Sequence, residues 1–301
     1  YVMTGASATP FIVSAIQKGI VKENLEDIYT ALKKGHMTDG IMSKAGYEHN
    51  TNIGGGLKYY LEKGYVPYPL PEGNFGSHED GASQTLEYAY QDYALAQFAK
   101  KLGKTEDYQL FMKRATYYKN IWNAEIGWMW NRTIDGKWGE PVDILRYDNG
   151  WEEGNAAQYT WFVPHDVQGL ISLMGNRDIF NAKLNTSFIE AEKHDFTSGK
   201  SHDKELLEKL RRVYINYGNQ PSIQTAYLFN YSGAPWLTQY WSRKVVEKVY
   251  SGLSPYYGYS GDEDQGLMGS LAVLMKSGIF STNGGTSENP FYEISSPIFN
   301  K

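Results

Sequence analysis

The chain has 301 residues and a net charge of −5, with both signs interspersed and no long basic run. That is long enough for a sizeable core, and it lacks the electrostatic footprint of a nucleic-acid or anionic-membrane partner. The absence of cysteine excludes disulfides and thiol chemistry, and no apolar run approaches the roughly 18 residues of a membrane-spanning helix. The aromatic share, 15% with 25 tyrosines against 12 phenylalanines, is unusual. A tyrosine offers an apolar ring with a polar tip, suited either to the edge of a helical core or to a wet cleft.

In chain order the pattern is helical almost throughout. Asn24 is placed as the N-cap of a helix over Leu25–Lys34 that stops at Gly35. A second helix opens at Thr51 or Asn52 and closes at Gly64. Ser83 starts a long helix whose stripe is Leu86, Tyr90, Tyr93, Ala94, Phe98 and Leu102, with Gly103 beyond its last turn. Thr105 starts the next, with Tyr108, Phe111, Met112, Ala115 and Ile121 on one face, and the short Gly103-Lys104 connection predicts an antiparallel helical hairpin. Bulky and polar residues alternate about Asp135-Gly136 between Gly127 and Trp138, which predicts a small β-hairpin. Further helices are predicted over 166–174, 179–189, 203–213, 222–231, 236–250 and 265–277, with a polar loop over 195–202. Repeated helical hairpins predict an all-α barrel or toroid of paired helices, over residues 1–285. Residues 286–301 change to strand-like alternation, expected to pair with partners outside this chain. The chain opens at Tyr1 without a signal peptide and reads as a processed, engineered or partial polypeptide.

Two acidic loops carry the candidate chemistry. Gly261-Asp262-Glu263-Asp264-Gln265-Gly266 gathers three carboxylates ahead of an apolar helix, and like charges this close repel unless a cation, a shared proton or a positive substrate uses them. Glu152-Glu153 sits among Trp151, Tyr159 and Trp161, ahead of His165-Asp166. Two separated carboxylate loops in an aromatic-rich helical chain point to glycoside hydrolysis, which uses one carboxylic acid and one carboxylate across the sugar ring. Asp264 as a helix N-cap would stay ionised, as a base requires, and Glu153 among aromatics could hold its proton. The competing readings are an Asp264 that only caps, solvated Asp262 and Glu263, a structural Glu153 and an Asp166 that only caps. His78-Glu79-Asp80 lies in a Gly-rich loop and reads as solvated. Zinc-protease, phosphate-loop and Gly-x-Ser-x-Gly patterns are absent.

Several blocks in order resemble glycoside hydrolase family 92, the calcium-dependent exo-acting α-mannosidases. They are Thr85-Leu-Glu-Tyr-Ala-Tyr-Gln-Asp-Tyr93; Glu153-Gly-Asn-Ala-Ala-Gln-Tyr-Thr-Trp-Phe-Val-Pro-His-Asp166; Gly218-Asn-Gln-Pro-Ser222 with Ala226 to Trp236; Gly261 to Gly266; and Ser296-Pro-Ile-Phe299. The resemblance implies part of an (α/α)6 barrel with a short β segment at its C-terminal end. It also implies a β-sandwich domain, missing here, that precedes the barrel and completes the pocket. It implies hydrolysis of terminal α-mannosides of glycans, α-1,2 linkages favoured, with inversion, in a secreted or periplasmic protein. Glu153 takes the place of the general acid and Asp264 of the base, with Asp262 in support. Asn219, Gln220, Trp151 and His165 are the expected sugar contacts, and Asp264 with Gln220 the expected Ca2+ ligands. Two departures stand out: Gln220 replaces the usual glutamate of a Gly-Asn-Glu-Pro block, and Ile223 stands at a usually polar position. They leave open a non-catalytic glycan- or calcium-binding derivative, beside a hydrolase or lyase of another sugar on the same barrel.

Overall fold

The structure is a computed structural model that describes residues 4–43, 55–71, 80–199, 202–254, 258, 261, 264 and 266–299. These residues are dominated by helices, with short β ribbons, and divide into two compact units.

The first unit comprises residues 1–142, 148–152 and 283–291. Its helices are α1 (Ala8–Gln17), α2 (Leu25–Gly35), α3 (Leu57–Lys63), α4 (Gly81–Lys101) and α5 (Thr105–Ala115). Helix α1, not anticipated from the sequence, buries Val13 and Ile16 against Tyr29, Ala94, Leu95, Phe98 and Phe111. Asn24 does not cap α2 with its side chain; it sits at φ +54°, and the backbone turns into the helix through a left-handed residue instead. The predicted opening of α3 at Thr51 or Asn52 lies outside the described residues, while its stop at Gly64 is observed, with φ +77°. Helices α4 and α5 form the expected hairpin about Gly103, at φ +71°.

The stripe expected on α4 is only part of what that helix buries. Gln84, Thr85, Gln91 and Asp92 on other faces are also buried. They are tolerated because each finds a partner. Asp92 accepts from Arg114 Nε at 2.8 Å and Tyr60 OH at 3.0 Å, and lies 2.8 Å from His36 Nδ1. The Arg114 guanidinium lies over the rings of Tyr60 and Phe111. After α5 a 3-10 turn, Tyr117–Ile121, leads to β1 (Trp122–Asn123) and β2 (Trp128–Met129), an antiparallel pair. The predicted Asp-Gly turn follows it, with an Arg132–Trp138 bridge and Gly136 at φ +84°. Asn131, in a glycosylation-type triplet, is buried.

The second unit comprises residues 143–147, 153–282 and 292–301. It holds α6 (Ala156–Tyr159), α7 (Val167–Leu173), α8 (Arg177–Glu192), α9 (Lys204–Leu210), α10 (Leu228–Tyr231), α11 (Pro235–Val249) and α12 (Leu267–Ser277). Side-chain caps set many of the starts: Asn155 accepts from Gln158 N, Asp166 from Gly169 N, Asn176 from Ile179 N and Asp203 from Leu206 N. The helix predicted over 222–231 is broken into 3-10 turns, Gln220–Ser222 and Thr225–Tyr227, followed by α10. Local polar side chains compete for its backbone, Gln224 donating to Pro221 O and Thr225 to Ser222 O. The core is aromatic: Phe188 stacks on Trp241 at 5.0 Å, and Phe196 and Phe229 close around it.

The tail strand does not need a partner from outside. Gly278, at φ +76°, ends α12 and leads into β3 (Ile279–Phe280), which pairs antiparallel with β4 (Glu293–Ile294). Buried Glu293 secures the ribbon by accepting from Thr282 N at 3.0 Å and from Tyr231 OH. No helix among the described residues is long and apolar enough to cross a membrane.

Candidate active site

Glu153 opens the main segment of the second unit and is exposed, so the surrounding aromatics do not desolvate it as the sequence suggested; its φ is +46°. A side chain in the left-handed region costs of order 1–3 kcal/mol and persists only where the surroundings hold it. Those surroundings are well defined. At Gly154 a Cβ would lie 2.9 Å from the ring of Tyr159, so the residue after Glu153 has no space for a side chain. Asn155 then caps α6, and its Nδ2 donates to Val213 O at 3.1 Å, as does Gln158 Nε2 at 3.0 Å.

The second acidic loop shows the same feature, with Asp264 at φ +53°. Asp264 is not the N-cap of α12: Gly266 holds that position, at φ +97°, without a side-chain cap. The carboxylate turns toward Gln220 instead, Oδ2 accepting from Nε2 at 2.7 Å. Between the two loops runs Gly218-Asn219-Gln220. Asn219 Nδ2 donates to the Glu153 carbonyl oxygen at 2.8 Å, and Asn219 Oδ1 accepts from Gln220 N at 2.9 Å. Gly261 passes so close to this segment that a Cβ there would collide with Gly218 O and lie 2.6 Å from Gly218 Cα.

Glu153, Asn219, Gln220 and Asp264 are therefore linked through direct hydrogen bonds. His165 lies in the same unit, one residue ahead of the Asp166 cap of α7. Trp151 belongs to the first unit, where it is buried with its ring 6.4 Å from that of Trp130. Asp262 and Glu263 lie outside the described residues. Among the described residues no group of three or more His, Asp or Glu side chains could hold a metal. What the site offers a hard cation is oxygen chemistry, the Asp264 carboxylate and the Gln220 amide oxygen, of the kind calcium takes. The left-handed backbone at Glu153 and Asp264 and the strap between them were invisible to sequence reasoning; the glycines at 154 and 261 were the nearest signal.

The description "Glycosyl hydrolase family 92 catalytic domain" belongs to the family model that matches residues 1–301. The chain belongs to glycosyl hydrolase family 92. Among solved family 92 structures, the inverting mannosidase BT2199 from Bacteroides thetaiotaomicron is 30% identical with a TM-score of 0.77, covering 99% of this chain and 38% of its own. The α-mannosidase BT3965 of the same organism, in complex with mannoimidazole, is 31% identical with a TM-score of 0.78, covering 98% and 36%. A curated relative from Arthroderma benhamiae, named an uncharacterized secreted glycosidase, is 27% identical over 275 residues, 81% of this chain and 31% of its own length. The chain thus spans about a third of these family 92 relatives. Its helix-dominated content with a short C-terminal β segment, together with the likeness to family 92 structures, is consistent with an all-α barrel.

Proposed function

We propose that the chain is the catalytic portion of an exo-acting α-mannosidase that releases terminal mannose with inversion, α-1,2 linkages favoured. The observation that carries this reading is the pairing of two carboxylate loops, at Glu153 and Asp264, by one strap in a family 92 catalytic domain. Support for mannose as the sugar comes from the solved relatives titled as mannosidases.

In this mechanism the Glu153 carboxyl gives its proton to the glycosidic oxygen as the bond to the anomeric carbon breaks. Asp264 takes a proton from the water that attacks the opposite face of that carbon, so α-mannoside becomes β-mannose. Asp262 supports Asp264, and Gln220 and His165 face the sugar within the second unit, with Asn219 committed to Glu153 and Gln220. Gln220 Nε2, by donating to Asp264 Oδ2, stabilises the ionised carboxylate that a base requires. Asp264 and Gln220 would also hold a calcium ion, which supplies positive charge to hydroxyl oxygens of the bound sugar. Further parts of the reading are a β-sandwich domain elsewhere in the polypeptide, a barrel over 1–285 with a β segment from 286, and a secreted or periplasmic location.

The test is proton NMR of the full-length polypeptide with α-1,2-, α-1,3- and α-1,6-mannobiose. Early appearance of β-mannose is expected; early α-mannose, or no mannose from any linkage, rejects the reading. Calcium binding is read separately by titration calorimetry, where Gln220→Ala should weaken the affinity. An unchanged isotherm removes Gln220 from the ligand set. One observation favours a second reading, a non-catalytic glycan binder: the neutral Gln220 already occupies an oxygen of the would-be base. Mannoside affinity without turnover, indifferent to Glu153→Gln, would establish it.

A further inference from the structure

The left-handed backbone of Glu153 identifies a residue that acts through it. With φ at +46°, the Glu153 Cβ crowds the backbone, so the segment relaxes unless something opposes it. The opposing group is the Asn219 side-chain amide. Its Nδ2 donates to Glu153 O at 2.8 Å, and its Oδ1 accepts from Gln220 N at 2.9 Å. Asn219 is only 8% exposed, so water competes little for these bonds.

Asn219 is itself built into rigid surroundings. Its N–H donates to Asn216 O at 3.1 Å, and Asn216 Oδ1 accepts from Gly218 N at 2.9 Å and from Ser198 N at 3.2 Å. The Tyr217 carbonyl accepts from Tyr250 OH at 2.7 Å, and the Tyr217 ring is buried with its hydroxyl accepting from Ala226 N. Ser222, just beyond, accepts from Asn216 N at 3.1 Å. Gly154 and the Asn155 cap constrain the acid's own loop, and the hold on the Glu153 carbonyl is added by the 216–222 segment, which is tied to Tyr250 and to the loop at 198.

We infer that Asn219 is a positioning residue for the general acid: by holding the Glu153 carbonyl it fixes that peptide plane, and with it the direction in which the carboxyl leaves the backbone. This rests on Glu153 being the acid. The neighbours on the strap make the hold useful, because Gln220 binds the Asp264 carboxylate and Gly218 abuts Gly261. Three consecutive residues thus reference acid and base to the same piece of backbone. A misplacement of about 1 Å at such a group can lower a rate about a hundredfold.

Asn219→Asp is the informative substitution. An ionised aspartate keeps an oxygen for Gln220 N but has no hydrogen for Glu153 O. In the full-length polypeptide we expect kcat on mannobiose to fall about a hundredfold, while kcat on dinitrophenyl α-mannoside, whose leaving group needs no proton, falls less than about fivefold. KM for the aryl substrate should stay put. Asn219→Ala should show the same split, and in a Glu153→Gln background Asn219→Asp should cost little more, since residues acting as one unit are not additive. Equal losses on both substrates overturn the inference, as does a raised KM with kcat unchanged, which would make Asn219 a sugar contact. If the wild type hydrolyses neither substrate, the mannosidase reading fails, and a crystal structure of Asn219→Asp decides the hold by itself. Glu153 leaving the left-handed region supports it; φ retained near +46° rejects it.

Discussion

Glu153 and Asp264 stand on left-handed backbone, and each is followed or preceded by a glycine that no other residue could replace without moving a neighbour. The expected consequence at Glu153 is chemical. Glu153→Gln should lower turnover of mannobiose by at least about a hundredfold yet spare much of the activity on dinitrophenyl mannoside. Parallel losses, read from kcat on the two substrates, would remove Glu153 from the acid role. At Gly261 the consequence is steric. A Cβ meets the Gly218 backbone, which cannot yield as a flexible side chain would, so Gly261→Ala should displace the Asp264 segment. A tenfold or greater loss of kcat is expected if Asp264 is the base proposed above, since it would be displaced by a fraction of an ångström or more. Wild-type kcat in that variant would show that the loop tolerates the shift.

Helix starts in the second unit are fixed by single side chains, and that is where the sequence was most legible. Asp166 and Asn176 each accept from the backbone N–H three residues on, and the expected helices over 166–174 and 179–189 appear as α7 and α8, the latter extended at both ends. Asp166→Ala should cost about 1 kcal/mol and lower Tm by a few degrees; no change in a thermal melt would mean that packing alone places α7. The misses have separate causes. Asn24 and Asp264 have cap-forming side chains, but both adopt left-handed backbone, and Asp264 is drawn off by Gln220, 44 residues earlier. The 222–231 stretch has helical spacing, yet its own Gln224 and Thr225 side chains interrupt the ladder. Helix α1 was not read from the sequence; its burial against α4 defines it in the fold.

Two features of the first unit bear on stability as a whole. Asp92, Arg114, His36 and Tyr60 form a buried, hydrogen-bonded charge network, and the cost of breaking one member falls on those left behind. Asp92→Asn should therefore destabilise by about 3–5 kcal/mol in denaturant melts. A loss below about 1 kcal/mol would show that water replaces the lost charge. Glu87, on α4, is the second feature. Desolvation pushes its carboxyl up from 4.5 to about 7, opposed in part by the hydrogen bond from Gln91 Nε2. The folded form then binds a proton that the unfolded chain has lost between about pH 4.5 and pH 7, so stability falls as pH rises through that window. Glu87→Gln should flatten that fall; an unchanged slope would place its origin elsewhere.

By itself the sequence determined the family, the helical class and the αα-hairpin at Gly103, and it nominated the two carboxylate loops. Each of these is written in local periodicity, in a turn residue or in an ordered run of motif blocks. Only the tertiary structure decided how the carboxylates are held. The bonds from Asn219 to Glu153 and from Gln220 to Asp264 span 66 and 44 residues, and neither has a local sequence signal. The pairing of the tail strand with Ile279–Phe280 was decided in the same way. Hydrogen bonds between distant segments depend on where packed helices bring the backbone, which no short window of residue types contains.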